Sequence, residues 1–277
     1  MKTLSVIIPA HNEAGLIGDC LGAVLDSDVT APVQVLVIAN GCTDQTAGIA
    51  QGFVPQASAR GWVLRVIEVV EGGKLNALNV GDAAATGDVT IYLDADVIVS
   101  PLLIGQLGDA LDMDAPRYAS GQPVITRGQS GFTRAYARFW ATLPFVRNGV
   151  PGFGVFAMNA AGRSRWGAWP DIISDDTFAR LNFAPSQRVG VDAPYSWPMV
   201  EGFANLVRVR RRQNVGVSEI AGLFPALLAN DDKARLSPGG LARRALGDPV
   251  GFAAYVAVAL AVKSPLLRSR DHWARGR

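Results

Sequence analysis

Residues 91–101 read IYLDADVIVSP: an apolar, β-branched run that carries straight into two aspartates, Asp94 and Asp96. Carboxylates at the end of a buried strand cost free energy unless they are paired, hydrogen-bonded or bound to a cation. On a strand, residues i and i+2 point to the same side, so both acids can face one site. Hard oxygen ligands in that arrangement suit Mg²⁺ or Mn²⁺ bridging to a diphosphate. A lone D-x-D is common in solvated loops, so its meaning rests on its surroundings.

Upstream, three more apolar runs recur: LSVIIP from Leu4, VQVLVIA from Val33 and VLRVIEVV from Val63. Their Val/Ile enrichment and near-continuous apolarity predict strands covered on both faces. Between the first two, Leu16, Ile17, Cys20, Leu21, Val24 and Leu25 form a stripe of helical period. Helical stretches also follow Asp44 and Lys74. Strand and helix alternate, which predicts an α/β fold: a Rossmann-like, mostly parallel central sheet with helices on both faces. Ligands of such sheets bind beyond the carboxyl ends of the strands. Those ends carry PAHNEAG (9–15), ANGCTD (39–44) and DAD (94–96), three polar turns that meet along one edge.

The second half is less regular. GFTRAYARFWATL (131–143) reads as an amphipathic helix packing on the sheet, RNGVPGFG (147–154) as a loop, and VFAMN (155–159) as a short strand. In WPDIISDDTFARL (169–181), Ser174 stands where an N-cap would. Asp175 and Asp176 then fall in the first turn, where the helix dipole favours negative charge.

Composition bounds the partners. The chain has 277 residues, 49% hydrophobic and 18% charged, enough for a sizeable core. A net charge of +2 gives no argument for nucleic acid. Two cysteines, Cys20 and Cys42, make neither a disulfide framework nor a zinc site, and only His11 and His272 are histidines. A reducing, cytoplasmic setting follows, with no signal peptide expected from MKTLSVIIPAHNEAG.

The ordered segments VIIPAHNEAGLIGDCLGAVL, VLVIANGCTDQTAGIA, GGKLNALNVG, YLDADVIVSP and ISDDTFARL resemble the family 2 glycosyltransferases of the GT-A fold. The resemblance is strong over residues 4–100, thinner to about 180 and weak beyond. It implies an inverting enzyme that moves a sugar from a nucleotide diphosphate, uridine being the favoured base, to a saccharide or lipid-linked acceptor hydroxyl. By it, Pro9, His11, Asn12 and Glu13 line the base and ribose, and Asn40 meets the base. Asp44, Lys74 and Asp175 shape the nucleotide-sugar site, and Asp94 reaches the ribose. Asp96 holds Mn²⁺ or Mg²⁺, and Asp176 is the general base.

Plain structural readings stand beside these. Asn12 and Glu13 can cap the first helix, Lys74 can be a surface lysine, and Asp175 and Asp176 can be first-turn acids. Two departures from the family pattern are visible. Ala39 and Asn40 stand where many relatives have two acids, and no histidine follows the catalytic acid before His272. Arg208, Arg210, Arg211 and Arg212 in RVRRRQNVG are candidates for the diphosphate, or else a solvated basic strand. Gly154 and Trp169 are candidates for the acceptor side, Trp166 and Trp169 being able to stack on a sugar or to pack in a core. The expected organisation is one GT-A domain over 1–225, divided into a nucleotide-sugar half (1–100) and an acceptor half (101–225). A helical extension with a basic tail follows over 226–277. Two other functions compete: a catalytically silent GT-A binding module, and a sugar nucleotidyltransferase. PAHNEAG lacks the Gly-rich basic character expected of the latter.

The apolar stretch Pro249–Val262 is 14 residues long, roughly 21 Å as a helix, and falls short of the ~30 Å needed to span a membrane. It suits either a helix closing the sheet's far side or one dipping into a membrane face. The basic residues Lys263, Arg268, Arg270, Arg275 and Arg277 add attraction to anionic lipid. Peripheral contact through 249–277 with the inner face of the plasma membrane is the expectation.

Overall fold

A computed structural model describes residues 2–147, 149–232, 234 and 236–264. The tail residues Arg268, Arg270, Arg275 and Arg277, and His272, lie outside them. The first hundred residues alternate as the apolar runs predict: β1 (Leu4–Ala10), α1 (Ile17–Leu25), β2 (Val33–Asn40), α2 (Thr46–Gln51), α3 (Val54–Ala59), β3 (Val63–Val69), α4 (Lys74–Ala84) and β4 (Val89–Leu93). Then come β5 (Ile98–Val99), α5 (Leu103–Ala110), β6 (Tyr118–Ile125), α6 (Gly131–Trp140), α7 (Pro144–Arg147), β7 (Val155–Asn159), α8 (Ala160–Arg163), α9 (Asp175–Leu181) and β8 (Arg188–Trp197). Three helices follow: α10 (Phe203–Leu223), α11 (Pro238–Gly247) and α12 (Pro249–Lys263).

The described residues group into two compact units. The first holds Met1–Val124, Gly152–Asp171 and Asp175–Trp197; the second holds Ile125–Pro151, Ile172–Ser174 and Pro198–Arg277. This division does not follow the boundary expected at residue 225. The reason is packing: α6 and α12, far apart in sequence, lie against each other in the second unit.

The first unit carries an eight-stranded sheet of order β3-β2-β1-β4-β7-β6-β8-β5. The β3-β2-β1-β4 half is parallel. Beyond it β7 pairs antiparallel with both β4 and β6, and β5 antiparallel with β8. Val6, Ile8 and Ala10 on one face of β1 join Ile17, Leu21 and Val24 of α1 and Leu103 and Leu107 of α5 in the main core. On the other face Ile7 lies against α4 at Gly81. All five residues of β4 are buried, but β3 is not covered on both faces as its apolarity suggests. It is an edge strand, and its alternate residues Val63 and Arg65 are exposed.

The second unit corrects one expectation. The stretch RVRRRQNVG lies within α10, a helix of 21 residues, and is not a strand. Helix α12 packs on α6, α10 and α11. No described helix is long and apolar enough to cross a membrane.

Candidate active site

The chain turns sharply where β4 ends. Val97 N–H donates to the Asp94 carbonyl at 3.1 Å, and Asp94 N–H to the Gly154 carbonyl at 2.8 Å. Ala95 and Val97 enter the core while Asp94 and Asp96 stay half-buried. Gly154 has φ +82°, and a Cβ there would stand 2.7 Å from Trp197 and 2.8 Å from Val97. A side chain would therefore break the turn's support. Beneath lies Cys20, whose buried thiol reaches the Asp94 carbonyl at 3.8 Å. Burial, then the charges of Asp96 and Asp94, push its pKa far up and keep it neutral.

Lys74 opens α4 and joins this turn to α9. Its ammonium lies 2.8 Å from Asp94 Oδ1 and 3.0 Å from Asp175 Oδ2. Burial opposes the charge, but Asp175 and Asp94 outweigh it and hold the pKa well above the usual lysine value. The plain reading of a surface lysine does not fit this position.

Asp176 sits one residue on, half-buried, with Oδ1 accepting from Thr177 N–H at 2.6 Å. Burial and the Asp175 charge raise its pKa to about 6, against the pull of Lys74. A carboxylate with that pKa is a stronger base than an ordinary aspartate and is still mostly ionised at neutral pH. Tyr195, at the β8 end, donates to the Phe153 carbonyl at 2.8 Å and secures the loop before Gly154. Burial is the main cause of its raised pKa, and Asp176 and Asp94 add to it.

The turns at the other strand ends are bound together. Asn12 takes φ 54°, a left-handed conformation that asparagine tolerates, and its Oδ1 accepts from Thr43 N–H at 2.7 Å. Asn12 therefore ties the β1 turn to the β2 turn and does not cap α1. Glu13 N–H donates to Thr46 Oγ1 at 2.7 Å. Asp44 Oδ1 accepts from Thr46 N–H at 3.0 Å and Oδ2 from Ala14 N–H at 3.1 Å, which makes it a brace between the turn after β1 and the start of α2. His11 Nδ1 lies 2.5 Å from the Asn40 carbonyl. A carbonyl can only accept, so Nδ1 carries the proton. Pro9 and His11 are half-buried at the same edge. Gly41, at φ +57°, brings its backbone against Gly72, where a Cβ would stand 3.1 Å from Gly72 Cα.

Asn40 is not placed to read a base. It is 3% exposed, donates to the Ala10 carbonyl at 2.8 Å and accepts from Gly73 N–H at 2.9 Å. It is a strut that holds the entry to α4. Trp169 likewise faces inward at 4% exposure. Its indole N–H donates to Asp82 at 2.7 Å, its ring packs on Tyr92 and Phe178, and no ring face is offered to a sugar. In the second unit, Arg211 donates to the carbonyls of Ala261 and Val262, Arg208 to Asn205, and Arg210 to Gln213. Thr46, Cys20 and Tyr195 escape sequence reasoning. Only Thr46, two residues after a capping-type aspartate, carries a signal that could have revealed it.

Lys74 holds Asp94 and Asp175, Asp176 follows Asp175, and half-buried Asp96 lies two residues after Asp94; hard oxygens of this kind fit a divalent cation. No group of three His, Cys, Asp or Glu residues forms a ready cage among the described residues. A Mg²⁺-type ion held by one or two carboxylates, with substrate phosphates completing its shell, is what this set can accommodate.

Solved structures share this architecture. A mannosyltransferase from Pyrobaculum calidifontis, in complex with GDP-Man and Mn²⁺, aligns at TM-score 0.60 and 21% identity, over 95% of this chain and 76% of that one. Staphylococcus aureus TarS 1–349, in complex with UDP-GlcNAc, aligns at 0.56 and 15%, over 94% and 73%. The 4,4'-diaponeurosporenoate glycosyltransferase of Staphylococcus aureus is 34% identical over 99 residues. That match spans 35% of this chain and only 24% of the relative's length. The fold is therefore GT-A. Residues 5–165, which hold the β1, β2 and β4 turns together with Lys74, match glycosyl transferase family 2, and the chain belongs to that family.

Proposed function

We propose that the protein transfers a sugar with inversion from a nucleotide diphosphate to an acceptor hydroxyl, with Asp176 as general base. The observation that carries this reading is the placement of Asp176. It follows Asp175 in α9, and Asp175 is ion-paired to a lysine that also holds Asp94. Its pKa of about 6 suits proton abstraction near neutral pH.

The anomeric carbon passes through an oxocarbenium-like state while the acceptor oxygen attacks from the opposite face, as in glycoside hydrolysis. Asp176 takes the acceptor's proton as the new bond forms, a role worth ~10²–10⁴-fold in rate. Lys74 keeps Asp94 and Asp175 fixed, so that Asp94 is presented to the ribose and Asp176 to the acceptor. Asp96 would hold Mn²⁺ or Mg²⁺, and the bound ion would neutralise charge developing on the departing diphosphate. The Mn²⁺ in the Pyrobaculum mannosyltransferase supports the use of a divalent cation.

Pro9, His11, Asn12 and Glu13 would line the nucleoside, with Asp44 bracing their turn. Neighbours of the same fold carry GDP-Man and UDP-GlcNAc, so guanosine and uridine donors both belong in the test. A saccharide or a lipid-linked hydroxyl is the acceptor class. The free Cys20 and Cys42 support a cytoplasmic setting. Nucleotide release from a panel of nucleotide sugars with Mn²⁺, with and without acceptor, is the test. Turnover supports the reading, binding without turnover identifies a silent module, and pyrophosphate release from a nucleoside triphosphate and a sugar phosphate identifies a nucleotidyltransferase.

A further inference from the structure

Helix α12 is accounted for by the fold on one side only. Its inner residues Gly251, Ala254 and Val258 are buried. The Phe252 and Tyr255 rings lie 5.5 and 5.2 Å from that of Phe139 on α6. Both ends are pinned. Asp248 accepts from Gly251 N–H at 2.9 Å and pairs with Arg138 at 3.0 Å, and Arg211 donates to the carbonyls of Ala261 and Val262.

The outer positions have no such use. Val250, Ala253, Ala257 and Leu260 recur at intervals of three and four, which aligns them in one stripe. All four are exposed, Val250 at 65% and Leu260 at 63%. A helix whose outer side faces water carries polar residues there, yet Pro249–Val262 has no polar side chain except the inward Tyr255. Leu246 on α11, 85% exposed, extends the apolar set. Exposed cations stand before and after the stripe, at Arg243 and Lys263. The sequence beyond Ser264 adds Arg268, Arg270, Arg275 and Arg277 against Asp271 alone.

We propose that this stripe is a membrane-docking face. Helix α12 lies in the plane of an anionic lipid surface, with Val250, Ala253, Ala257 and Leu260 at the acyl boundary and the flanking cations on headgroups. Its 15 residues give about 22 Å, too short to span. An apolar stripe combined with basic flanks is the pattern of an interfacial helix. Charge selects lipid over a second copy of the chain, since self-association through this face would set like cations against each other. The inference stands independently of the catalytic reading.

The test is flotation of the full chain with vesicles of phosphatidylcholine alone or mixed with phosphatidylglycerol, at low and high salt. The chain is expected to float with the anionic vesicles at low salt and to be released by high salt. The pair Val250→Gln and Leu260→Gln should reduce the vesicle-bound fraction ~10-fold with an unchanged melting temperature. The pair Arg243→Glu and Lys263→Glu should reduce it ~10-fold or more, at about fivefold per lost cation near the surface. Four results would overturn the proposal: no flotation with anionic vesicles at low salt, undiminished flotation of the glutamine pair, dimer loss in that pair by light scattering with no vesicle binding, or a lowered melting temperature with vesicle binding intact. The third would make the stripe a self-association face, and the fourth a face covered by the chain itself.

Discussion

Lys74 Nζ stands 3.0 Å from Asp175 Oδ2, and this ion pair joins the first residue of α4 to the first residue of α9. The same ammonium holds Asp94, so one cation organises acids from two separated stretches of chain. Removing one partner of a largely desolvated pair leaves uncompensated charge. Lys74→Met should therefore destabilise the protein by about 1–3 kcal/mol, discounted for its partial exposure, and should weaken donor binding. Urea denaturation and nucleotide titration check this. Unchanged stability would show that the pair is incidental.

The acid limb of activity follows from Asp176. Its pKa of about 6 lies above the ordinary aspartate value, and only the ionised form accepts a proton. The kcat should therefore fall as pH drops through about 6. Asp175→Asn removes a negative neighbour and should move that limb to lower pH. The stability sign is the reverse of the usual carboxylate case. A folded pKa above the unfolded one means that the folded state loses stability as pH rises through the interval from about 4 to about 6. Asp176→Asn should then be more stable than the parent at pH 7 by up to about 3 kcal/mol and no more stable near pH 4. Thermal melts at the two pH values decide it.

Asn40 is a strut, and its loss should be felt in stability rather than in base choice. Asn40→Ala leaves the Gly73 N–H and the Ala10 carbonyl without their partner, at a cost of about 1–3 kcal/mol. Denaturation together with competition between UDP and GDP measures both effects. A changed preference between the two nucleotides would contradict the structural role.

Much of this was legible in the sequence, and the misses have a common physical cause. The β1, β2 and β4 runs announce themselves because strands buried on both faces must be apolar throughout. Asp94 and Asp96 lie in the turn just beyond β4, so the apolar run locates them at the strand's end but strand period does not set where their side chains point. What periodicity cannot give is the direction a turn residue points once loops from distant segments close on it. Asn40 looks like a base reader until Gly73 and Ala10 take its amide, and Trp169 looks like a sugar platform until Asp82 takes its indole N–H. The basic run in α10 conceals its helix because Arg208, Arg210, Arg211 and Arg212 interrupt any clear apolar stripe. The grouping of α6 with α12 was hidden for the same reason, being a contact between segments far apart in the chain.

The metal assignment rests on Asp96. Asp96→Ala should lower metal-dependent donor turnover by ~10²–10³-fold with the fold intact, since charge neutralisation at the leaving group is worth several kcal/mol. Turnover measured against Mn²⁺ concentration and with a chelator checks this, alongside circular dichroism. Activity that is insensitive to chelator would remove the cation from the account.

The central claim, that Asp176 takes the acceptor's proton, is tested most directly by single-turnover kinetics of Asp176→Asn with a donor identified from the panel. An amide of the same shape keeps the site's volume but has no basic lone pair to receive the proton. Donor affinity should stay within a few-fold of the parent while the transfer rate falls by ~10²–10⁴-fold. Parent-like transfer at saturating donor, with affinity lost instead, would contradict it and move the base elsewhere in the site.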